Sequence, residues 1–247
     1  MKRRIGFLDS GMGGISLLNE IDGMTAGKEF LYYGDLANSP YGNKGRQQVA
    51  DLVAAGVEFL IAKGADVIVI ACNTATSVAI DYLRNRFAIP VFGMEPALKP
   101  AAMEHPDGEL AVLATSLTLN EDKYLSLKKN LNLHDNVHPY SCDGLATLID
   151  KKDLAGAEKF LEPIVGDIIA KNINAVVLGC THYVFMKDFI AKKGLNVFDG
   201  NQGTARHILG RKTEPGANTL ELYLNTKNPE DEETAKFFLS DKLKKSI

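Results

Sequence analysis

The sequence predicts an α/β protein of two similar, doubly wound lobes, each built on a parallel sheet, with a site in the cleft between them. Three observations lead there. Short apolar runs rich in Val, Ile and Leu alternate with segments of helical character. The runs lack the in-and-out polarity of a half-solvated sheet, as strands covered on both faces do. The chain also contains itself twice: Lys63-Gly-Ala-Asp-Val-Ile-Val-Ile-Ala-Cys72-Asn-Thr74 aligns without a gap on Lys171-Asn-Ile-Asn-Ala-Val-Val-Leu-Gly-Cys180-Thr-His182.

In chain order, strands are expected at Ile5–Leu8, Phe30–Tyr33, Val67–Ala71, Val91–Gly93, Leu110–Ala114, Val137–Tyr140, Ala175–Gly179 and Val197–Phe198. Helices are expected at Gly45–Lys63, Thr74–Phe87, Glu121–Asn130, Ala155–Lys171 and Gly203–Leu209. Nearly the same offset that relates the two cysteine strands carries Phe7-Leu-Asp-Ser10 onto Leu113-Ala-Thr-Ser116. It also carries Tyr33-Gly-Asp35 onto Ser141-Cys-Asp143, and Val91-Phe92 onto Val197-Phe198. Four equivalent strands in one order imply two lobes, residues 1–97 and 98–207, with the tail 208–247 returning to the first. Right-handed crossovers then make each lobe doubly wound. The stretch Asp231–Lys245 mixes charge with Phe237, Phe238 and Leu239, and is expected as an amphipathic helix lying on the first lobe.

Composition narrows the function. With 247 residues and a net charge of −3, the chain offers no basic stripe to neutralise phosphates, which argues against nucleic acid as a partner. No apolar run approaches the roughly 18 residues of a membrane span. The opening Met1-Lys-Arg-Arg-Ile-Gly-Phe-Leu8 is too short in apolar residues for a signal peptide. Three widely spaced cysteines, Cys72, Cys142 and Cys180, fit free thiols in a reducing cytoplasm. No CxxC or HxxxH spacing supports a metal site.

In such sheets ligands bind beyond the carboxyl ends of the strands, and the polar motifs fall there. Cys72 and Cys180 each end an apolar strand and precede residues able to cap a helix, Asn73-Thr74 and Thr181-His182. A thiol at a helix N-terminus meets the positive end of the dipole, which favours thiolate. Two such thiols facing one cleft suit a particular chemistry, inversion at a carbon centre. One takes the proton from one face, the other returns a proton to the opposite face, and the roles exchange in reverse. The sulfurs would then lie on the order of 7 Å apart, too far for a disulfide. Such a scheme needs one thiolate and one thiol, so activity is expected to be bell-shaped in pH. Flat activity from about pH 6 to 10 would contradict it. Cys142 lacks this setting and reads as structural.

Asp9-Ser-Gly-Met-Gly-Gly14 is neither a P-loop nor a dinucleotide loop. Its glycines could present N–H groups to an anion, or form a tight turn. Asp9 at the strand tip is a candidate acid/base or orienting group. Asn38-Ser-Pro-Tyr-Gly42 reads alone as a turn, and Glu95-Pro96 as a strand end. His134, His138 and His207 have no evident partner and receive no role.

Taken together, Asp9-Ser-Gly-Met-Gly-Gly14, Gly34-Asp35 with Pro40-Tyr-Gly42, Ala71-Cys-Asn-Thr-Ala-Thr76, Ala114-Thr115 with Thr118, and Gly179-Cys-Thr-His-Tyr183 resemble the glutamate racemases of the aspartate/glutamate racemase superfamily. The matches run in order over residues 5–205. The resemblance implies a cofactor-independent, metal-free enzyme that interconverts L- and D-glutamate in the cytoplasm, supplies D-glutamate for peptidoglycan and forms a homodimer. It further implies that Cys72 takes the proton from D-glutamate and Cys180 from L-glutamate, assisted by Asp9 and His182 respectively. Ser10, Pro40, Tyr41, Gly42, Asn73, Thr74, Thr115, Thr118 and Thr181 would hold the substrate. The sequence departs from the family pattern twice. The supporting glutamate of the second lobe corresponds to Asp150, one methylene shorter, and Val184 stands where a proline is usual. Aspartate or broader racemisation, non-catalytic binding of an acidic amino acid, and thiol redox chemistry are the competing readings. Binding alone needs no acid/base pair, and redox chemistry would want closely spaced cysteines.

Overall fold

The computed structural model describes residues 3–106, 108–133, 136–209 and 216–246. Strands among them are β1 (Arg4–Asp9), β2 (Glu29–Gly34), β3 (Val67–Ile70), β4 (Val91–Gly93), β5 (Leu110–Ala114), β6 (Val137–Ser141), β7 (Ala175–Leu178), β8 (Asn196–Asp199) and β9 (Thr219–Leu224). The first sheet runs β4-β3-β1-β2-β9 and the second β6-β5-β7-β8, with every neighbouring pair parallel. Read from its other end, the second sheet repeats the order of β4-β3-β1-β2. The repeat in the sequence is therefore a repeat of topology, and the two-lobe α/β expectation holds.

All eight expected strands are present, each within one residue at either end. The reason is visible in β3, β5 and β7, whose side chains are buried along their whole length. A central parallel strand covered on both faces must be apolar throughout, and that leaves an unbroken signature. One apolar cluster passes from Phe7, Phe30 and Val69 of the first sheet to Leu113, Val176 and Leu178 of the second. The outer face of the first sheet packs Leu8, Ile68 and Ile70 on Val53, Val57 and Leu83. That of the second packs Val112 and Val177 with Leu98 and Tyr124.

The expected helices are found as Arg46–Ala62, Asn73–Arg86, Asp122–Asn130, Leu154–Ala170 and Asn201–Leu209. The closing segment differs from expectation. It forms two helices, Glu230–Phe238 and Asp241–Lys244, because Leu239 is extended and the Ser240 hydroxyl accepts the Leu243 N–H to cap the second. Asn19 fastens this segment to the first lobe, donating to the Phe238 carbonyl at 2.8 Å and accepting the Ser240 N–H at 2.9 Å. Phe238 also stacks on Phe185 of the second lobe, ring centres 4.2 Å apart.

Strand β9 was not expected from the sequence. It pairs with β2 from Glu29↔Thr219 to Gly34↔Leu224, with Leu220 buried and Thr219 and Glu221 exposed. A buried polar knot seats its entry. Asn218 donates to the Asp22 carboxylate at 2.7 Å and to the Thr25 carbonyl at 3.0 Å, and accepts the Lys28 N–H at 2.9 Å. Asn218→Ala would strip these partners from groups that water does not reach. The expected cost is about 2–3 kcal/mol of stability, read as a lower urea midpoint with an unchanged slope. A loss under about 0.5 kcal/mol, the level of an ordinary surface change, would contradict it.

No helix among the described residues is long and apolar enough to cross a membrane. His138 pairs with Glu109 at 2.5 Å on the surface and His207 meets Phe92 edge-on, so both have structural partners. His134 lies outside the described residues.

Candidate active site

The two sheets bring the carboxyl ends of β1, β3, β5 and β7 to one cleft. Cys72 follows β3 at the N-terminus of helix Asn73–Arg86, and Cys180 follows β7; both are buried. All three cysteines are free.

The capping expectation needs revising on both sides. Asn73 and Thr74 lie inside the first helix, and the atom that accepts its Ala75 N–H, at 3.4 Å, is the Cys72 sulfur itself. Cys72 also reaches the Ser10 hydroxyl at 3.7 Å. Burial, followed by the Asp9 charge, pushes the Cys72 thiol up to about 12, although the Ala75 N–H and Ser10 pull the other way. Desolvation therefore outweighs the helix end. Cys180 is followed by a 3-10 turn at His182–Met186, and the α-helix Lys187–Ala191 begins only after it. Its partner is the His182 ring, with Nδ1 3.8 Å from the sulfur.

His182 is fully buried and its Nε2 lies 2.9 Å from Asp150 Oδ1. Burial opposes the imidazolium, but the Asp150 carboxylate and the hydrogen bonds to Asp150 and Cys180 raise His182 well above its ordinary range. Asp150 is the mirror case. Burial pushes it up, yet the His182 charge and the hydrogen bonds from His182, the Met12 N–H and Ser39 hold it below the ordinary carboxylate value. Both shifts favour the charged forms, an imidazolium facing a carboxylate, and the shorter acid does reach the histidine.

The glycine loop after β1 makes that reach possible. The Gly11 N–H donates to Asp9 Oδ1 at 2.9 Å, the Met12 N–H to Asp150 Oδ1 at 3.0 Å, and the Gly13 N–H faces His182 Nε2 at 3.1 Å. The anion at this loop is thus a carboxylate of the protein itself. A Cβ on Gly13 would stand 2.3 Å from His182 Nδ1 and 2.6 Å from Thr181 Oγ1, which explains why glycine occupies the position. Asp9 is fully buried and accepts the Thr181 hydroxyl at 3.0 Å. Burial raises its pKa, with His182 opposing.

Thr74 of the first lobe and Thr115 and Thr118 of the second join their hydroxyls in a triangle, each side 3.0 Å. Gly42 packs against Thr115, leaving no room for a Cβ. Tyr41 is buried, and its phenol donates to Asp35 Oδ2 at 2.7 Å, so that hydroxyl braces the loop carrying Pro40. Asn73 Oδ1 is buried without a partner among the described residues. Cys142 is buried too, pushed up to about 12 by desolvation, and its carbonyl accepts the Tyr183 hydroxyl at 2.8 Å. That fits its structural reading.

Three residues here were given no role from the sequence. Asp35 collects Tyr41, Asn38 and Asn225, the last at 2.6 Å. Asn225 comes from the tail just beyond β9, and Ser39 reaches Asp150 across the cleft at 2.9 Å. Asp35 was legible as a strand-end acid. Asn225 carried no signal, because the strand before it was not recognised. Among the described residues no group of three or more His, Cys, Asp or Glu is arranged as a metal site.

Comparison with known proteins agrees with this geometry. The family model described as Asp/Glu/Hydantoin racemase matches residues 25–208. A glutamate racemase of Leptospira interrogans is 46% identical over 214 residues, covering 86% of this chain and 84% of the relative. One from Clostridium perfringens is 43% identical over 216 residues, covering 85% and 83%. The crystal structure of glutamate racemase from Francisella tularensis in complex with D-glutamate superposes with a TM-score of 0.80 at 26% identity, covering 96% of this chain and 94% of that one. With a family model spanning most of its length and close relatives of nearly equal extent, the chain belongs to the Asp/Glu/hydantoin racemase family.

Proposed function

We propose that the protein interconverts L- and D-glutamate by proton transfer between Cα and two thiols, Cys72 and Cys180. The observation that carries the reading is the pairing of each thiol with its own partner at equivalent strand ends: Ser10 and the Ala75 N–H for Cys72, His182 with Asp150 for Cys180. From L-glutamate the Cys180 thiolate takes the α-proton, the electron pair remains on the carbon and its carboxylate, and the Cys72 thiol delivers a proton to the opposite face. D-glutamate reverses the roles. Neither step calls for a cofactor or metal. Asp9, buried beside Cys72 and bonded to Thr181, orients the first side, and the Asp150–His182 pair orients the second.

The substrate contacts follow from chemistry. Asn73 Oδ1 is a buried acceptor awaiting a donor, which the substrate ammonium supplies. Ser10 and the hydroxyls of Thr74, Thr115 and Thr118 are neutral groups suited to two carboxylates, while Thr181, whose O–H is given to Asp9, meets the substrate through its acceptor lone pairs. Pro40, Tyr41 and Gly42 would border these hydroxyls, on the side where Gly42 packs against Thr115. The same reading makes the protein a cytoplasmic homodimer supplying D-glutamate for peptidoglycan. It divides the chain into a first unit of residues 1–97 with 208–247 and a second of 98–207.

Incubating the protein with D-glutamate in D2O, and with D-aspartate in parallel, tests the assignment. Circular dichroism and loss of the α-proton signal should show inversion of glutamate at least a hundredfold faster than of aspartate. Inversion of aspartate alone would keep the two-thiol scheme and overturn the substrate. Binding without exchange of either would leave only an acidic amino-acid sensor.

A further inference from the structure

Asp150 belongs to the second lobe, ending helix Leu145–Asp150, yet two of its donors come from the first. Oδ1 takes the Met12 N–H at 3.0 Å together with His182 at 2.9 Å, and Oδ2 takes the Ser39 hydroxyl at 2.9 Å. Terminal carboxylate torsions have broad wells, so a carboxylate held on one oxygen can still turn. Holding the second oxygen fixes its plane, and through that plane the direction of the His182 ring toward Cys180.

The segment carrying Ser39 is well placed for this work. The Ser39 N–H donates to the Leu36 carbonyl at 3.1 Å, and Asn38 bonds Asp35. The Asn225 carbonyl accepts the Ala37 N–H at 2.6 Å. The hydroxyl is therefore presented by a braced turn and does not hang from a loose loop.

Resting on the racemase reading above, we propose that Ser39 is a positioning residue for the Cys180 half of the reaction: it crosses the cleft to lock Asp150, so that His182 is aimed at Cys180 only when the two lobes are together. The charged and titratable groups around this pair are Asp9 and Cys180 facing His182, and Asp9 and Tyr32 near Asp150. None of these comes from the Ser39 turn, so removing the hydroxyl alters orientation without altering the local charge.

The test compares Ser39→Ala, Ser39→Thr and Asp150→Asn with the unaltered protein, using α-deuterated L- and D-glutamate. Ser39→Ala should lower kcat/KM about ten- to a hundredfold, the range for losing a hydrogen bond to a charged group. Because the enantiomers are equally stable in water, kcat/KM must fall equally in both directions. The isotope effects need not. A slower step at Cys180 raises the effect from the enantiomer that Cys180 deprotonates and lowers it from the other. Ser39→Ala should move the two effects in the same opposed senses as Asp150→Asn, and Ser39→Thr should restore both rate and isotope effects. A fall in kcat/KM with both effects unchanged, or shifted in one sense, would reduce Ser39 to a structural role. No fall would dismiss it.

The 15N shifts of the His182 ring, read in the substrate-free protein, separate this proposal from the assignment of substrate. They move in Ser39→Ala if the hydroxyl aims Asp150 and stay in place if it does not, whether or not glutamate proves to be the substrate.

Discussion

Cys72→Ala and Cys180→Ala should each lower glutamate racemisation roughly a thousandfold or more, because every turnover uses one thiol as base and the other as acid. The loss is expected in both directions for either variant. What separates the two is exchange in D2O. With Cys180 intact and Cys72 absent, the α-proton of L-glutamate can still be removed and replaced from the same face, giving deuterium uptake without inversion. With Cys72 intact and Cys180 absent, the same is expected of D-glutamate. The α-proton signal and optical activity, followed together by NMR and circular dichroism, distinguish these outcomes. Both side chains are small and buried, so alanine leaves little void and the variants should remain folded, as the far-ultraviolet spectrum would verify. A variant that inverts glutamate within tenfold of the unaltered rate would sink the two-thiol scheme.

The placement of the two thiols was readable in the sequence because both follow the most regular part of the fold. Val67-Ile-Val-Ile70 and Ala175-Val-Val-Leu178 are buried on both faces, so apolar residues run unbroken up to Cys72 and Cys180. The internal repeat then set the two thiols in equivalent places. Edges and crossings were harder. Strand β9 alternates buried Leu220 with exposed Thr219 and Glu221, as a sheet edge does, and it breaks the pattern of the central strands. Asn225 was hidden behind it. Ser39 and Asp150 are more than a hundred residues apart, and only the approach of the two lobes makes them neighbours. The direction of the Cys72 pKa was also beyond reach. A helix terminus is written in the sequence, whereas the desolvation that outweighs it belongs to the packed cleft.

Asp150→Asn is expected to lower kcat roughly a hundredfold, the scale of one positioned acid/base partner, and to change how both activity and stability depend on pH. His182 is raised above its ordinary 6.5 chiefly by the Asp150 carboxylate working against burial. Without that charge, burial prevails and the imidazolium is disfavoured, so the cationic donor at the Cys180 sulfur is weakened. The acid limb of the bell-shaped activity profile should therefore move to higher pH. Stability follows the signs of the two shifts. Asp150 is lowered from 3.8, so its contribution is present above that value and is lost as pH falls through the lower folded value. His182 is raised, so its contribution is complete below 6.5 and is lost as pH climbs through the higher folded value. The pair thus stabilises the fold most between about pH 4 and 6.5. Breaking it should cost about 3 kcal/mol at pH 5.5, and the cost should shrink steadily into the alkaline range. Urea unfolding of both proteins across this pH series measures the difference directly. A cost that is independent of pH would mean that Asp150 and His182 meet as neutral hydrogen-bonding partners, and the imidazolium assigned to the Cys180 side would then have to be abandoned.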